Sequence, residues 1–281
     1  MFEKGYRVSI SEANFQYIRD LVYQMSGNLL GDDKGYLVET RLEPLVRTQG
    51  FGSLQDLVTR MRKHPGNGLH WSVVEAMINS ETSFFRDVTP FEMLKKWIIP
   101  NLLVCRAGER RLNIWCAAAA SGQEPYSILM VLYEEFPTLH RWEINLHATD
   151  ISKKMLARCI EGCYSQTEIN RGLPAAFAVK YFEKKGIEWC VKDLLRRPLK
   201  FRQMNLVEPW PPLPRMDLIF LRNVLIYLSV ETRRTLLGRI RKVLAPDGYL
   251  FLGSAETTLN LDDEFERVQV GRGVCYRLRG Q

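Results

Sequence analysis

No stretch of this sequence approaches the roughly 18 consecutive apolar residues that a membrane-crossing helix requires, so membrane insertion is not expected. The opening MFEKGYRVSISEANF lacks the apolar core of a secretory signal, and the chain is expected to stay in the cytoplasm. Cysteine is sparse: six residues, at 105, 116, 159, 163, 190 and 275, with no CxxC pair. No histidine stands at metal-ligand spacing from Cys159 and Cys163, so no metal site is expected and the cysteines are read as buried, reduced thiols. A GxGxxG loop is also missing, which counts against dinucleotide chemistry. No RNA-binding motif is present, and no nucleic-acid partner is expected.

What is present is ordinary globular composition, 46% hydrophobic and 25% charged, in 281 residues. That length suits one large or two modest domains, each able to bury a core. The balance of 39 basic to 32 acidic residues gives +7 and suggests an acidic partner without naming its class.

The first ~75 residues read as a small helical bundle with no visible chemistry. Ser9-x-x-Glu12 has capping-box spacing, and Phe15, Ile18, Val22 and Met25 then share one helical face before Gly27. A second helix is expected from about Tyr36 to Gly50 and a third from Ser53 to Lys63, stopped by Pro65-Gly66. Between Arg41 and His70, five basic residues (Arg41, Arg47, Arg60, Arg62, Lys63) face two acidic ones (Glu43, Asp56), either a solvated helix face or a docking surface for an acidic helix.

From about residue 110 the pattern alternates strand and helix: Leu112–Trp115, a helix opened by Pro125, Ile144–Asp150, a helix over Ser152–Glu161, Met216–Leu221, a helix near Thr232–Leu244, and Tyr249–Gly253. Repeated βα units of this kind predict an α/β fold with a mostly parallel, doubly wound sheet. Residues 165–203 break the rhythm and are read as a small insertion containing a hairpin that turns near Lys185-Gly186.

In such folds ligands bind beyond the carboxyl ends of the strands. After the first strand, Ala117–Gly122 supplies small side chains that let a ligand approach the backbone, with Glu124 beside it at a helix start. Asp150, 28 residues past Gly122, stands where these folds hold a ribose. An acidic pair without a phosphate cradle favours a nucleoside bearing an ammonium group, as in S-adenosylmethionine.

Three segments then resemble the chemotaxis receptor methyltransferases, the CheR-type family of protein-glutamate O-methyltransferases: Asn79-Ser-Glu-Thr-Ser-Phe-Phe-Arg86, Trp115-Cys-Ala-Ala-Ala-Ala-Ser-Gly-Gln-Glu-Pro-Tyr-Ser127, and Arg222-Asn-Val-Leu-Ile-Tyr227. Ala148-Thr-Asp150, Met204-Asn-Leu206 and Pro246-Asp-Gly248 follow in the expected order, and the resemblance covers nearly the whole chain. It implies an all-helical N-terminal domain over 1–75 that docks to receptors. It also implies a class I, Rossmann-like methyltransferase domain over 76–281, with the antiparallel β insertion at about 165–203.

Carried over by position, the resemblance places Ser80, Thr82 and Arg86 beside the methionine end of S-adenosylmethionine, and Glu124 on its methionyl part. Asp150 would hold the ribose, Asn205 and Leu206 would flank the adenine, and Arg222 and Asn223 would complete the wall. Arg86 and Tyr227 would be catalytic, facing the incoming glutamate; the second product is S-adenosylhomocysteine. Ser80 stands where the family usually has Asn, and Gln123 and Ala120 replace a common Glu and a Ser or Thr. The implied partner is the acidic helical coiled coil of a methyl-accepting chemotaxis receptor, met by a monomer. Lys192, Arg196, Arg197, Lys200 and Arg202 would add to the basic docking face. The short turn at Lys184-Lys185-Gly186 lacks a glycine-rich loop, so a pentapeptide tether is not expected to be required. The alternatives are a methyltransferase acting on RNA or a small molecule, disfavoured by the lack of an Asn-Pro-Pro-Tyr signature, and a catalytically weak or inactive cofactor-binding docking module.

Overall fold

A computed structural model describes residues 10–66 and 68–280. The chain divides into a helical unit, Met1–Asn79 with Tyr227–Ser229, and a larger unit, Ser80–Ile226 with Val230–Gln281. Among the described residues no helix is long and apolar enough to cross a membrane.

The helical unit contains α1 (Glu12–Ser26), α2 (Gly35–Thr48), α3 (Leu54–Lys63) and α4 (Gly68–Met77). Phe15, Ile18 and Val22 of α1, Val38 and Leu42 of α2, Leu57, Val58 and Met61 of α3, and Val73, Val74 and Met77 of α4 form its core. Ser9 of the expected capping box lies outside the described residues, and Ser11 is the residue preceding α1. For α3 the Ser53 hydroxyl accepts from the Asp56 amide, an N-cap worth roughly 1 kcal/mol. The fourth helix was not read from the sequence. Tyr227–Ser229 join this unit through an antiparallel bridge, Asn28 to Leu228.

In the larger unit, α5 (Thr89–Met93) and α6 (Ile99–Cys105) are joined by a π-helical segment and lead to β1 (Arg111–Cys116). Next come α7 (Gln123–Glu135), β2 (Glu143–Asp150), α8 (Lys153–Glu161), β3 (Cys163–Ser165), α9 (Gln166–Asn170), α10 (Ala175–Tyr181), β4 (Phe182–Lys185) and β5 (Glu188–Val191). The chain continues through α11 (Asp193–Arg196), β6 (Leu199–Gln203), β7 (Met216–Leu221), α12 (Val230–Val243), β8 (Leu244–Leu252), β9 (Phe265–Val270) and β10 (Gly273–Leu278).

The seven-stranded sheet runs β6-β2-β1-β7-β8-β10-β9. Its first five strands are parallel, and β10 is antiparallel to both β8 and β9. This is the doubly wound order, reversing direction between β1 and β7. Every residue of the central strand β7 is buried, as a parallel strand covered on both faces requires. On the N-terminal side of the sheet, Arg106 bridges Asp217 (2.7 Å from Nε) and Asp247, pinning β7 to the turn inside β8.

Two sequence expectations are corrected. Strand β6 belongs to the main sheet, parallel to β2, so the insertion ends before 199; the second sheet is β3-β5-β4. The hairpin itself turns at Gly186-Ile187 as expected. The cysteines are not all buried thiols: antiparallel register sets Cys163 directly opposite Cys190, and the two are disulfide-bonded, while Cys105 is exposed. Two of the basic residues assigned to docking have internal work. Arg196 donates to the Ile160 and Glu161 carbonyls that end α8, and Lys192 donates to the Val179 and Lys180 carbonyls near the end of α10. These are the orphan carbonyls any helix end must satisfy.

Candidate active site

A doubly wound sheet presents its ligand crevice outside the strand ends where the order reverses, here between β1 and β7. The loop leaving β1 is stitched to both neighbours: the Ala117 amide donates to Phe220 of β7 and the Ala119 amide to Thr149 of β2, each at 2.9 Å. Gly122, with φ of 98°, ends the loop against the underlying packing. A Cβ there would sit 2.7 Å from Cys159 Sγ and 2.9 Å from the Tyr164 hydroxyl, so only glycine lets α7 start at this depth. Burial pushes the Cys159 thiol up to about 12, which keeps it neutral beneath the loop.

Asp150 closes the same loop. One carboxylate oxygen accepts from the Ala120 amide and the other from the Ser152 amide, both at 2.8 Å. The Met204 amide donates to the Asp150 carbonyl at 2.9 Å, bringing Asn205 and Leu206 to this end of the sheet. Asn205 is held in its own turn, donating to Glu208 and accepting from the Val207 amide.

The centre of the site is Arg222, directly after β7. Its Nη1 donates to Glu124 at 2.6 Å, and its Nη2 to Asp87 at 2.8 Å and to the Arg86 carbonyl at 2.9 Å. The Arg222 and Glu124 side chains are only 3% and 12% exposed, whereas Asp87 is 39% exposed. One guanidinium thereby joins the three segments 79–86, 115–127 and 222–227, which lie far apart in sequence. The Phe85 amide donating to Ser127 adds a second tie between the first two.

Ser80, Thr82 and Arg86 lie half-buried on this segment. The Arg86 guanidinium donates to the Glu81 carbonyl at 2.8 Å. Gln123 is buried and accepts from the Ser121 hydroxyl; a neutral amide here spares the site a second buried carboxylate beside Glu124. Asn223 takes a left-handed backbone, φ 59°. Tyr227 is placed differently from the other expected site residues: it groups with the helical unit, where its hydroxyl accepts from the Asn79 amide group at 2.6 Å.

Two acidic residues were missed in the sequence. Asp87 follows the first motif immediately, and Glu256 follows the end of β8, so the rule that singled out strand ends would have reached it. Both line a cavity of about 280 Å³ beside Arg222, along with Thr89, Gly253, Arg267 and Tyr276. A larger cavity of about 710 Å³, lined by Arg106, Asn113, His147 and Asp217, opens at the opposite edge, away from the crevice that doubly wound folds use.

The residues fit S-adenosylmethionine. Carboxylates at Glu124 and Asp150 suit an ammonium and ribose hydroxyls, and the small side chains of Ala117–Gly122 add little bulk to their loop. Arg222 Nε is the one buried side-chain nitrogen or oxygen among the described residues left without a partner, so the site retains a donor for an acceptor such as the ligand's carboxylate.

Comparison with known proteins bears on the same segments. Residues 80–274 match the family described as CheR methyltransferase, SAM binding domain, and residues 13–77 match CheR methyltransferase, all-alpha domain. Chemotaxis protein methyltransferase 1 of Pseudomonas aeruginosa is 40% identical over 277 residues, covering 97% of this chain and 100% of that protein. Chemotaxis protein methyltransferase Cher2 of Pseudomonas putida gives the same identity and coverage. The chemotaxis protein methyltransferase of Vibrio parahaemolyticus is 37% identical over 276 residues, covering 97% and 99%.

Proposed function

Since the chain belongs to the CheR methyltransferase family and depends on S-adenosylmethionine, we propose that it methylates glutamate side chains on the cytoplasmic helices of chemoreceptors, forming methyl esters in chemosensory adaptation. The observation that supports this most directly is the convergence of the three motif segments on Arg222.

The bound cofactor supplies an already activated methyl group. A glutamate side chain, with pKa near 4.3, is already an anionic nucleophile at neutral pH. The chain's residues are therefore left with binding, alignment and exclusion of water, and good alignment is worth roughly 7–11 kcal/mol of barrier. Glu124 and Asp150 hold the cofactor's ammonium and ribose, Asn205 and Leu206 flank its base, and Ser80, Thr82, Arg222 and Asn223 complete its surroundings. Arg86 holds one oxygen of the substrate carboxylate through its planar fork and leaves the other to attack, a geometry lysine does not offer. Tyr227 is the second substrate-facing candidate; its hydroxyl accepts from Asn79 and keeps its own proton to donate.

The acidic receptor helix meets basic side chains at the end of α3, Arg60, Arg62 and Lys63. The two-residue turn Gly186-Ile187, with no glycine-rich loop, supports action without a pentapeptide tether. The test is transfer of labelled methyl from S-adenosylmethionine to receptor-containing membranes, scored as methanol released by base. Label is expected with the wild type and lost in Arg86→Ala, with cofactor affinity changed far less. Absence of transfer alongside tight cofactor binding would replace the enzyme reading with that of a docking module. Base-stable label would exclude an ester.

A further inference from the structure

The loop after β7 must hold an unusual shape, because Asn223 is a non-glycine residue in the left-handed region. What holds it is Glu256, a carboxylate only 8% exposed that none of the sequence motifs includes. Its Oε2 accepts from the backbone amides of Asn223 (2.8 Å) and Gly253 (2.6 Å), and its Oε1 accepts from the Ile226 amide at 3.2 Å. A buried carboxylate is costly unless its oxygens are satisfied, and these are satisfied by backbone amides from both sides of a gap. One side chain thus fastens two points of the 222–226 loop to the end of β8.

The other side of the gap shows the same closeness independently. A Cβ on Gly253 would lie 2.7 Å from Asn223 Nδ2 and 2.9 Å from its backbone nitrogen. Contacts under 3.0 Å force something to shift, so the loop and the strand end approach closely only because residue 253 has no side chain.

We propose that Glu256 is a positioning residue for methyl transfer: it sets the backbone of the 222–226 loop and, through it, the placement of Arg222 and Asn223 against the cofactor. The proposal rests on the reading that Asn223 forms part of the cofactor wall. Arg222 cannot stand correctly over Glu124 and Asp87 if the next peptide swings away, and Asn223 loses its conformation once its amide has no acceptor.

The test uses Glu256→Gln, Gly253→Ala and Asn223→Ala in the full chain. Glu256→Gln keeps shape and one oxygen but turns an amide donor toward the Ile226 N–H. Affinity for S-adenosylhomocysteine is measured by calorimetry, kcat by ester formation, and folding by thermal melting without ligand. Losing a buried hydrogen bond of this kind predicts, for Glu256→Gln and Gly253→Ala, about tenfold weaker binding and a similar or larger fall in kcat. The melting temperature of Glu256→Gln should fall by about 2–8 °C, leaving the protein folded at the assay temperature. A purely structural staple would lower the melting temperature and leave affinity and kcat of the folded protein intact, which would overturn the proposal. So would wild-type behaviour of both variants while Asn223→Ala binds weakly. If Asn223→Ala itself binds as wild type, the cofactor-wall reading fails instead, and the proposal fails with it.

Discussion

Replacing Glu124 by Gln separates the task it has, neutralising a buried arginine, from the one proposed for it, holding the cofactor. The amide oxygen still accepts from Arg222 Nη1, so the 2.6 Å contact has a neutral counterpart and the local shape survives. Removing one partner of a buried ion pair costs about 3–5 kcal/mol when the other is left bare. Arg222 keeps Asp87 at 2.8 Å, although that carboxylate is 39% exposed and correspondingly screened. The folding cost should therefore fall near 1–2 kcal/mol, a lowering of about 2–8 °C in melting temperature for a chain of this size. The cofactor loses more. A hydrogen bond to a charged group contributes about 1.5–3 kcal/mol, so affinity for S-adenosylhomocysteine should fall by about 10- to 150-fold. A control ligand isolates that loss: 5′-methylthioadenosine carries the nucleoside but neither ammonium nor carboxylate, and its affinity should change by less than about threefold on the same scale. Calorimetry with both ligands decides. Equal losses would mean that Glu124 acts only by keeping the fold around Arg222; no loss for either would remove it from the cofactor site.

Three further outcomes follow from groups outside that cluster. Arg106→Met strips Asp217, whose side chain is 6% exposed, of its cation, and chemical denaturation should show about 3–5 kcal/mol of lost stability; less than about 1 kcal/mol would contradict the pairing. Burial, aided by Lys200 and Arg202, holds the His147 imidazole below its usual pKa, so the native state prefers it neutral. Stability should then decline as pH falls through about 6.5 and level off below the native value, and His147→Gln should flatten that decline in denaturation curves. Thiol labelling without reductant should modify Cys105 in the native protein and four cysteines after denaturation, reaching all six only after reduction; six without reduction would exclude the Cys163–Cys190 bond.

The order of βα units was legible because each strand–helix pair carries its own local signal: an apolar run, a small-residue turn, a cap. So were Asp150 at a strand end and Glu124 at the helix start after β1, since both follow from the fold class alone. Pairings between distant positions were not legible. Nothing local ties Arg222 to Glu124, 98 residues earlier, or sets Cys163 opposite Cys190, because both depend on register. Strand β6 was misassigned because Leu199–Gln203 lies at the sheet edge, with only its first residue fully buried, and reads like part of a surface insertion. Helix α4 was hidden by Pro65-Gly66, which ends α3 so plainly that the apolar stretch after it offered no second start. Glu256 stands past the end of β8, where the strand-end rule reaches, but only three backbone amides converging on it reveal its use.

The charges of the site are already committed before a substrate arrives, and that bears on how it works. Glu124 and Asp87 are engaged by Arg222, Asp150 accepts from two loop amides, and Glu256 accepts from three. Carboxylates held this way fix backbone and orient a ligand, but general-base work asks for a group poised to take a proton near neutral pH. The proposed reaction asks for no such group, since its nucleophile is ionised and its donor activated. Arg86 differs from these residues: its guanidinium is fixed by a neutral carbonyl, Glu81, and not by a carboxylate. An arginine held by a carbonyl suits the proposed capture of an anionic side chain, while the paired charges around it supply the rigidity that makes alignment count.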